Sequence, residues 1–330
     1  VIGNLQILRA FAATGVVFLH SNAAVFGVHT EFHGVALFFV LSGYLMCRIS
    51  NRSAVEFARD RFWRIVPVYW MATAIMLTTF GMWTYWPAAH IFMSFLFLPH
   101  QAPSGLHPVL GVGWTLNFEV YFYTVFALSI FIAKKHAPAL AASTIAFVFF
   151  ATPLVTESEA LRFYYGGKSV WFFVAGIGIW YLTEAMARWG VRRNLPKLTL
   201  PVALAVYAAA SVVSGALWAS PEQAFYAAIV LAPSLFLTAV LAAQSGADLK
   251  PSFLILLGNA SYGCYLLHTI LIELMRHRGV AIDGGLSVTL YILLASWTIA
   301  ILWYLFVERL LAAVIRSRRT RALSPALHSG

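Results

Sequence analysis

The sequence predicts an all-α polytopic membrane protein, with about ten transmembrane helices in one bundle and both termini cytoplasmic. Three observations carry that expectation. Of the 330 residues, 61% are hydrophobic and only 10% are charged, against roughly 25% charged in an ordinary soluble domain. The apolar residues fall into runs of about twenty, the length that crosses the hydrocarbon core of a bilayer as a helix. The 22 Lys and Arg lie mostly on one side of those runs.

Ten spans follow, at 5–25, 34–50, 65–85, 113–133, 138–155, 168–187, 198–218, 224–243, 253–275 and 286–309. The first carries polar residues and lacks a small-residue cleavage site, so it reads as a retained helix and not a signal peptide. The second runs into the Arg-rich stretch 48–64, which leads to the third. Residues 86–112 are apolar in the middle but interrupted by Pro87, Pro99, Pro103 and Pro108; they read as an interfacial or re-entrant segment. The fourth span starts at Gly113, and Lys134 and Lys135 set it off from the fifth. The sixth closes before Arg188, the seventh opens after Lys197, the ninth opens after Lys250, and the tenth closes at Arg309.

With that count, eighteen Lys and Arg share the side of the N-terminus, and only Arg162, Lys168, Arg276 and Arg278 lie on the other. By the positive-inside rule both termini are cytoplasmic. The formal net charge of +10 therefore reflects topology, and no nucleic-acid partner is expected. Cys47 and Cys264 both sit in apolar runs and have no disulfide or metal-ligand spacing. No internal repeat or second domain is evident. Residues 1–315 read as one integral-membrane domain and 316–330 as a basic, disordered cytoplasmic tail.

Arg9 and His20 stand out within the first span. Eleven steps of 100° bring both to one face of a helix, roughly 16 Å apart along its axis. An arginine at a helix centre costs about 2.5–3.5 kcal/mol on insertion scales, so this polar stripe needs an interior cavity or a partner. The orientation places His20, Glu119, His268 and Glu273 towards the outer face, and Arg9, Arg48, Arg61 and Arg64 at the cytoplasmic end. Each has a plainer reading: buried polar groups often only link helices, and Arg59, Arg61 and Arg64 would serve as topological anchors. His29, His33, His90, His100 and His107 show no helix-face ligand spacing, so no metal site is expected. P-loop, GxGxxG, GxSxG and CxxC signatures are missing. A proton-coupled transporter of a small solute or glycan precursor is the principal alternative at this point, although no inverted repeat is found.

Six segments in order resemble one family, the integral-membrane acyltransferase-3 family. They are Arg9 and His20 as Arg-x10-His; Phe38 to Tyr44 as an FFVxSG run containing Ser42 and Gly43; Arg61, Arg64, Ile65 and Pro67 as RxxRIxP; Trp114, Thr115, Leu116, Glu119, Phe122 and Tyr123 as WTLxxExxFY; Ser261, Tyr262, Tyr265, Leu266 and His268 as SYxxYLxH; and Val307, Glu308 and Arg309 as VER. Together they run from residue 5 to 309. The stretch 109–116 is similar to the branch that decorates bacterial exopolysaccharides. Three positions depart from the pattern: Ala36 and Val120 stand where carboxylates are common, and Leu310 where proline is. No catalytic carboxylate is assigned at 36 or 120.

The resemblance implies a membrane-embedded O-acyltransferase of the bacterial cytoplasmic (inner) membrane. It moves a short acyl group, most often acetyl, from cytosolic acyl-CoA to a hydroxyl of a glycan or lipid-linked sugar. Acyl-CoA is a co-substrate, and no bound cofactor is expected. Arginine's planar donor fork suits phosphate, so Arg61 and Arg64, with Arg9 and Arg48, are assigned to the donor. His20 is assigned as general base or acyl carrier, since its ordinary pKa is close to working pH. Glu119 is assigned to orient His20 or bind the sugar. Ser42, Trp114, Tyr123, Tyr262 and His268 are assigned to the acceptor or to support.

Overall fold

The computed structural model describes residues 2–22, 24–25, 28–29, 33–102, 105–190, 195–217 and 221–315. Arg192, Arg193 and the expected tail 316–330 lie outside the described residues. Twelve helices account for most of the rest: α1 Gly3–His20, α2 Gly34–Arg48, α3 Ala54–Thr79, α4 Ala88–Phe95, α5 Trp114–Ala133, α6 Ala137–Val155, α7 Glu159–Tyr165, α8 Val170–Arg188, α9 Thr199–Leu217, α10 Pro221–Gln244, α11 Ser252–His277 and α12 Leu286–Trp303. A two-residue hairpin, Ala24–Val25 against Val28–His29, follows α1. The chain is an all-α polytopic membrane protein, as its composition predicts.

Five stretches are long and apolar enough to cross a bilayer: Gly111–Val155, Glu159–Arg188, Gln223–Gln244, Ser252–His277 and Leu286–Ile315. They contain six of the ten expected spans, and α2 and α9 are shorter apolar helices. The two remaining, α1 and α3, carry Arg9, Arg61 and Arg64. The polarity of α1 is tolerated because that helix is enclosed by α2, α10, α11 and α12.

Two local signals differ from expectation, and one between them agrees with it. The third helix begins well before residue 65, because Ser53 and Glu56 form a reciprocal capping box that satisfies the free N–H groups of the first turn. Arg59, Arg61 and Arg64 therefore ride on α3 and not on a loop. The segment 86–112 yields only the eight-residue α4, roughly 12 Å long and too short to span. It dips back against α3: Tyr69 Oη donates to the Ser94 carbonyl at 3.1 Å, Trp70 Nε1 to that of Phe95 at 2.8 Å, and Val109 N to Ser94 Oγ at 3.1 Å. The expected outer loop 156–167 contains α7, whose N-terminus is capped by Ser158.

Close helix crossings hold the bundle together. Gly43 of α2 and Gly176 of α8 lie on each other's helix backbone, and any Cβ there would collide with it. Small residues at such crossings let helices approach where lipid supplies no hydrophobic drive. Asn4 anchors the start of α1. Its Nδ2 donates to the carbonyls of Ala239 and Ala247, both at 3.1 Å, and its Oδ1 accepts from Leu249 N at 2.8 Å. At mid-height Trp297 Nε1 donates to Thr14 Oγ1 at 3.2 Å, tying α12 to α1.

Candidate active site

The site lies along the seam between α1 and α11, which run in the same direction. Gly258 sits on the backbone of Gln6 near one end, and His268 meets His20 at the other. Any side chain at 258 would strike the Gln6 carbonyl, so glycine permits the close approach. Between these two contacts, Asn259 and Tyr262 of α11 border the same pocket as Gln6 and Arg9 of α1, and Tyr262 and Tyr265 turn towards α3 and the start of α5.

At the arginine end an open pocket of about 1080 Å³ is bordered by Gln6, Arg9, Arg59, Arg64, Asn259, Tyr262, Glu308 and Arg309. None of Arg9, Arg61 and Arg64 forms a salt bridge among the described residues. Arg9 and Arg64 interact as like charges, opposed by Glu308 and Glu119. By contrast, Arg52 and Arg59 both approach Asp60. Gln6 Oε1 and Glu308 Oε1 on this pocket, and Arg61 Nε on the cavity beside it, are buried without a hydrogen-bond partner among the described residues. Glu308 reaches this pocket because residues 304–308 form a π-helical turn that rotates the end of the last helix. Such turns often occur at functional sites.

Arg9, Arg64 and Tyr262 also border a second, narrower cavity of about 80 Å³, lined further by Ser42, Arg61, Glu119, Tyr123, Thr115 and Tyr265. Ser42 Oγ donates to Glu119 Oε1 at 2.8 Å and Tyr123 Oη to Glu119 Oε2 at 3.1 Å. The Arg61 guanidinium lies 6.0 Å from the centre of the Tyr123 ring, within the range of a cation–π contact. Tyr262 Oη donates to the Ile65 carbonyl at 3.0 Å. Tyr265 Oη lies 3.1 Å from the Val112 carbonyl and 2.9 Å from Thr115 Oγ1.

Beyond Tyr265, whose ring centre is 6.1 Å from that of His268, come the two histidines. His268 is completely buried, with Nδ1 3.0 Å from the Cys264 carbonyl and Nε2 3.2 Å from His20 Nδ1. His20 Nδ1 is also 2.9 Å from the Val16 carbonyl. His20 is the last residue of α1 and is exposed.

The structure thus brings Arg9, Arg61, Arg64, Ser42, Glu119, Tyr123 and Tyr262 around one cavity, while His20 and His268 border neither pocket and adjoin it only through Tyr265. The expectation that Glu119 lies with the outer histidines and orients His20 is corrected. Both its oxygens are taken by Ser42 and Tyr123, and it sits among the arginines, while the partner of His20 is His268. Tyr123 and Tyr262 likewise lie towards the arginines. Arg48, exposed in the last turn of α2, borders neither pocket. Trp114 packs on Phe118 and Phe163, at 5.8 and 5.9 Å between ring centres, in an aromatic cluster with α7. Gln6, Asn259, Thr115, Tyr265 and Glu308 received no role from the sequence. The SYxxYLxH, WTLxxExxFY and VER motifs, which contain Tyr265, Thr115 and Glu308, were the available signals.

The acyltransferase domain of the acyltransferase-3 family matches residues 2–307. The chain belongs to that family. It is 33% identical over 303 residues to the exopolysaccharide production protein ExoZ of Rhizobium meliloti (strain 1021), covering 88% of this chain and 92% of the relative. No solved structure matches. The protein is therefore a multi-pass membrane acyltransferase, and the transporter alternative is set aside.

Proposed function

We propose that this acyltransferase moves an acetyl group from acetyl-CoA, bound at the arginine end, to a hydroxyl of an exopolysaccharide sugar at the histidine end, in the bacterial inner membrane. The observation that carries the reading is the succession from the arginine-lined pocket, past Arg9, Arg64 and Tyr262, to Tyr265, whose ring lies 6.1 Å from that of His268, the hydrogen-bond partner of His20. Cations without salt-bridge partners suit the donor's phosphates. An extended thioester arm then has roughly 16 Å to cover along α1. Relationship to an exopolysaccharide production protein supports the acceptor class.

In this scheme His20 is the general base. It takes the proton of the sugar hydroxyl as that oxygen attacks the thioester carbonyl. The carbon–sulfur bond breaks, and the leaving thiolate recovers the proton as free CoA. Ser42, Glu119 and Tyr123 hold the arginines in place around the donor arm. Eighteen Lys and Arg on the arginine side support a cytoplasmic location for the donor.

The test is acetyl-CoA turnover in nanodiscs, with and without exopolysaccharide sugars, for wild type and His20→Ala. Sugar-dependent CoA release that disappears in the variant supports the reading. Undiminished release in folded His20→Ala sinks the assignment of His20, and a folded wild type that never consumes acetyl-CoA sinks that donor.

A further inference from the structure

We propose that His268 is a positioning residue that holds His20 in a single tautomer, hydrogen on Nδ1 and lone pair on Nε2, so that Nε2 is the nitrogen presented to the acceptor hydroxyl. The catalytic part of this rests on His20 being the base; the tautomer does not.

A backbone carbonyl only accepts, so His268 Nδ1, 3.0 Å from the Cys264 oxygen, must donate. His268 is completely buried, and no carboxylate pairs with it among the described residues. As a neutral imidazole it has one N–H, so its Nε2 can only accept. The donor in reach is His20 Nδ1 at 3.2 Å. That nitrogen also faces the Val16 carbonyl at 2.9 Å. Both neighbours of His20 Nδ1 are acceptors, which leaves one arrangement: Nδ1 carries the hydrogen and shares it between them. The lone pair is then on Nε2, which has no hydrogen bond among the described residues and belongs to an exposed side chain.

Two features make His268 suited to this. It is held rigidly, because its own helix carbonyl fixes its ring through Nδ1. It is also indifferent to substrate, being sealed behind His20. An imidazole at an exposed helix end would otherwise exchange tautomers, spending part of its time with a hydrogen on the nitrogen that has to accept one. This pattern, in which the bond made by one ring nitrogen decides the role of the other, is general for histidine.

The experiment compares His268→Gln with His268→Asn in nanodiscs. A glutamine amide oxygen falls near the position of Nε2 and can accept from His20. An asparagine amide falls near Nδ1 and can serve only the Cys264 carbonyl. The expected result is kcat within about threefold of wild type for Gln and lower by roughly tenfold or more for Asn, with KM for acetyl-CoA unchanged in both. Equal kcat for the two variants overturns the catalytic role. A second measurement needs no turnover: ¹⁵N-histidine NMR of the wild type, assigned by His20→Ala, should show His20 with its hydrogen on Nδ1. A hydrogen on Nε2 overturns the proposal. If the tautomer is as stated but acetyl-CoA is never consumed, the proposed function fails and the tautomer assignment stands.

Discussion

Two histidine pairs in this molecule share one hydrogen-bond pattern and end differently. In the re-entrant segment, His100 Nδ1 donates to the Leu98 carbonyl at 2.8 Å, and His90 Nδ1 lies 2.7 Å from His100 Nε2. With His100 neutral, its Nε2 accepts, and His90 then carries its hydrogen on Nδ1 and its lone pair on Nε2. Yet His90 is only 3% exposed, its ring is 4.2 Å from that of Trp86, and its Nε2 is buried without a partner. The His20 lone pair belongs to an exposed residue. A histidine pair can set a tautomer anywhere, but access to the free nitrogen separates a reactive group from a packing element.

The comparison breaks most directly at the terminal rings. His20→Ala should lower CoA release by about 10²- to 10⁴-fold, the usual contribution of a general base, whereas His90→Leu should leave turnover per folded molecule near wild type. If His90→Leu costs as much as His20→Ala, the distinction by access fails. Next in size is the donor end. Arg64→Ala should raise KM for acetyl-CoA by roughly 10- to 100-fold, the loss of a hydrogen bond to a charged group. It should have little effect with acetyl-pantetheine, which lacks the nucleotide phosphates. An equal rise for both donors would remove Arg64 from the phosphate site.

Smaller effects sharpen the other half. His90→Leu removes a buried hydrogen bond, so thermal unfolding in detergent should show a loss of about 1 kcal/mol. Burial, then its neighbour His100, pushes the pKa of His90 down to about 4 from the ordinary 6.5. A histidine held neutral in the folded state loses stability as pH falls, because the unfolded chain binds the proton first. The wild-type advantage over His90→Leu should therefore shrink as pH falls from about 6.5 towards 4; constancy across that window would show His90 to be solvated. Smallest of all, Arg48→Ala should leave KM for acetyl-CoA within about twofold, since Arg48 borders neither pocket.

Much of the candidate site was legible in the sequence where it depended on one helix. Arg9 and His20 share a face because eleven residues make three turns, and the chain places both on the seam of α1. Position along a single helix was less secure where a cap intervened: the Ser53–Glu56 box extends α3 backward and takes Arg59, Arg61 and Arg64 with it. What escaped was pairing across helices. His20 and His268 are 248 residues apart, and Glu119 was an equally reasonable partner until α5 turned it towards Ser42 and the arginines. Glu308 escaped for another reason. It enters the open pocket through a π-helical turn, and a 3.6-residue period does not anticipate such a turn.

By itself, then, the sequence determined the membrane class, the helical segments, the asymmetry of charge and the residues aligned on α1, because these follow from local hydropathy and from the geometry of one helix. Only the tertiary structure decided which polar groups meet: His268 behind His20, Ser42 and Tyr123 on Glu119, and Glu308 beside Arg9. Those contacts depend on how far helices slide and rotate against each other. That is set by packing at glycine crossings and by caps and turns distributed over the whole chain.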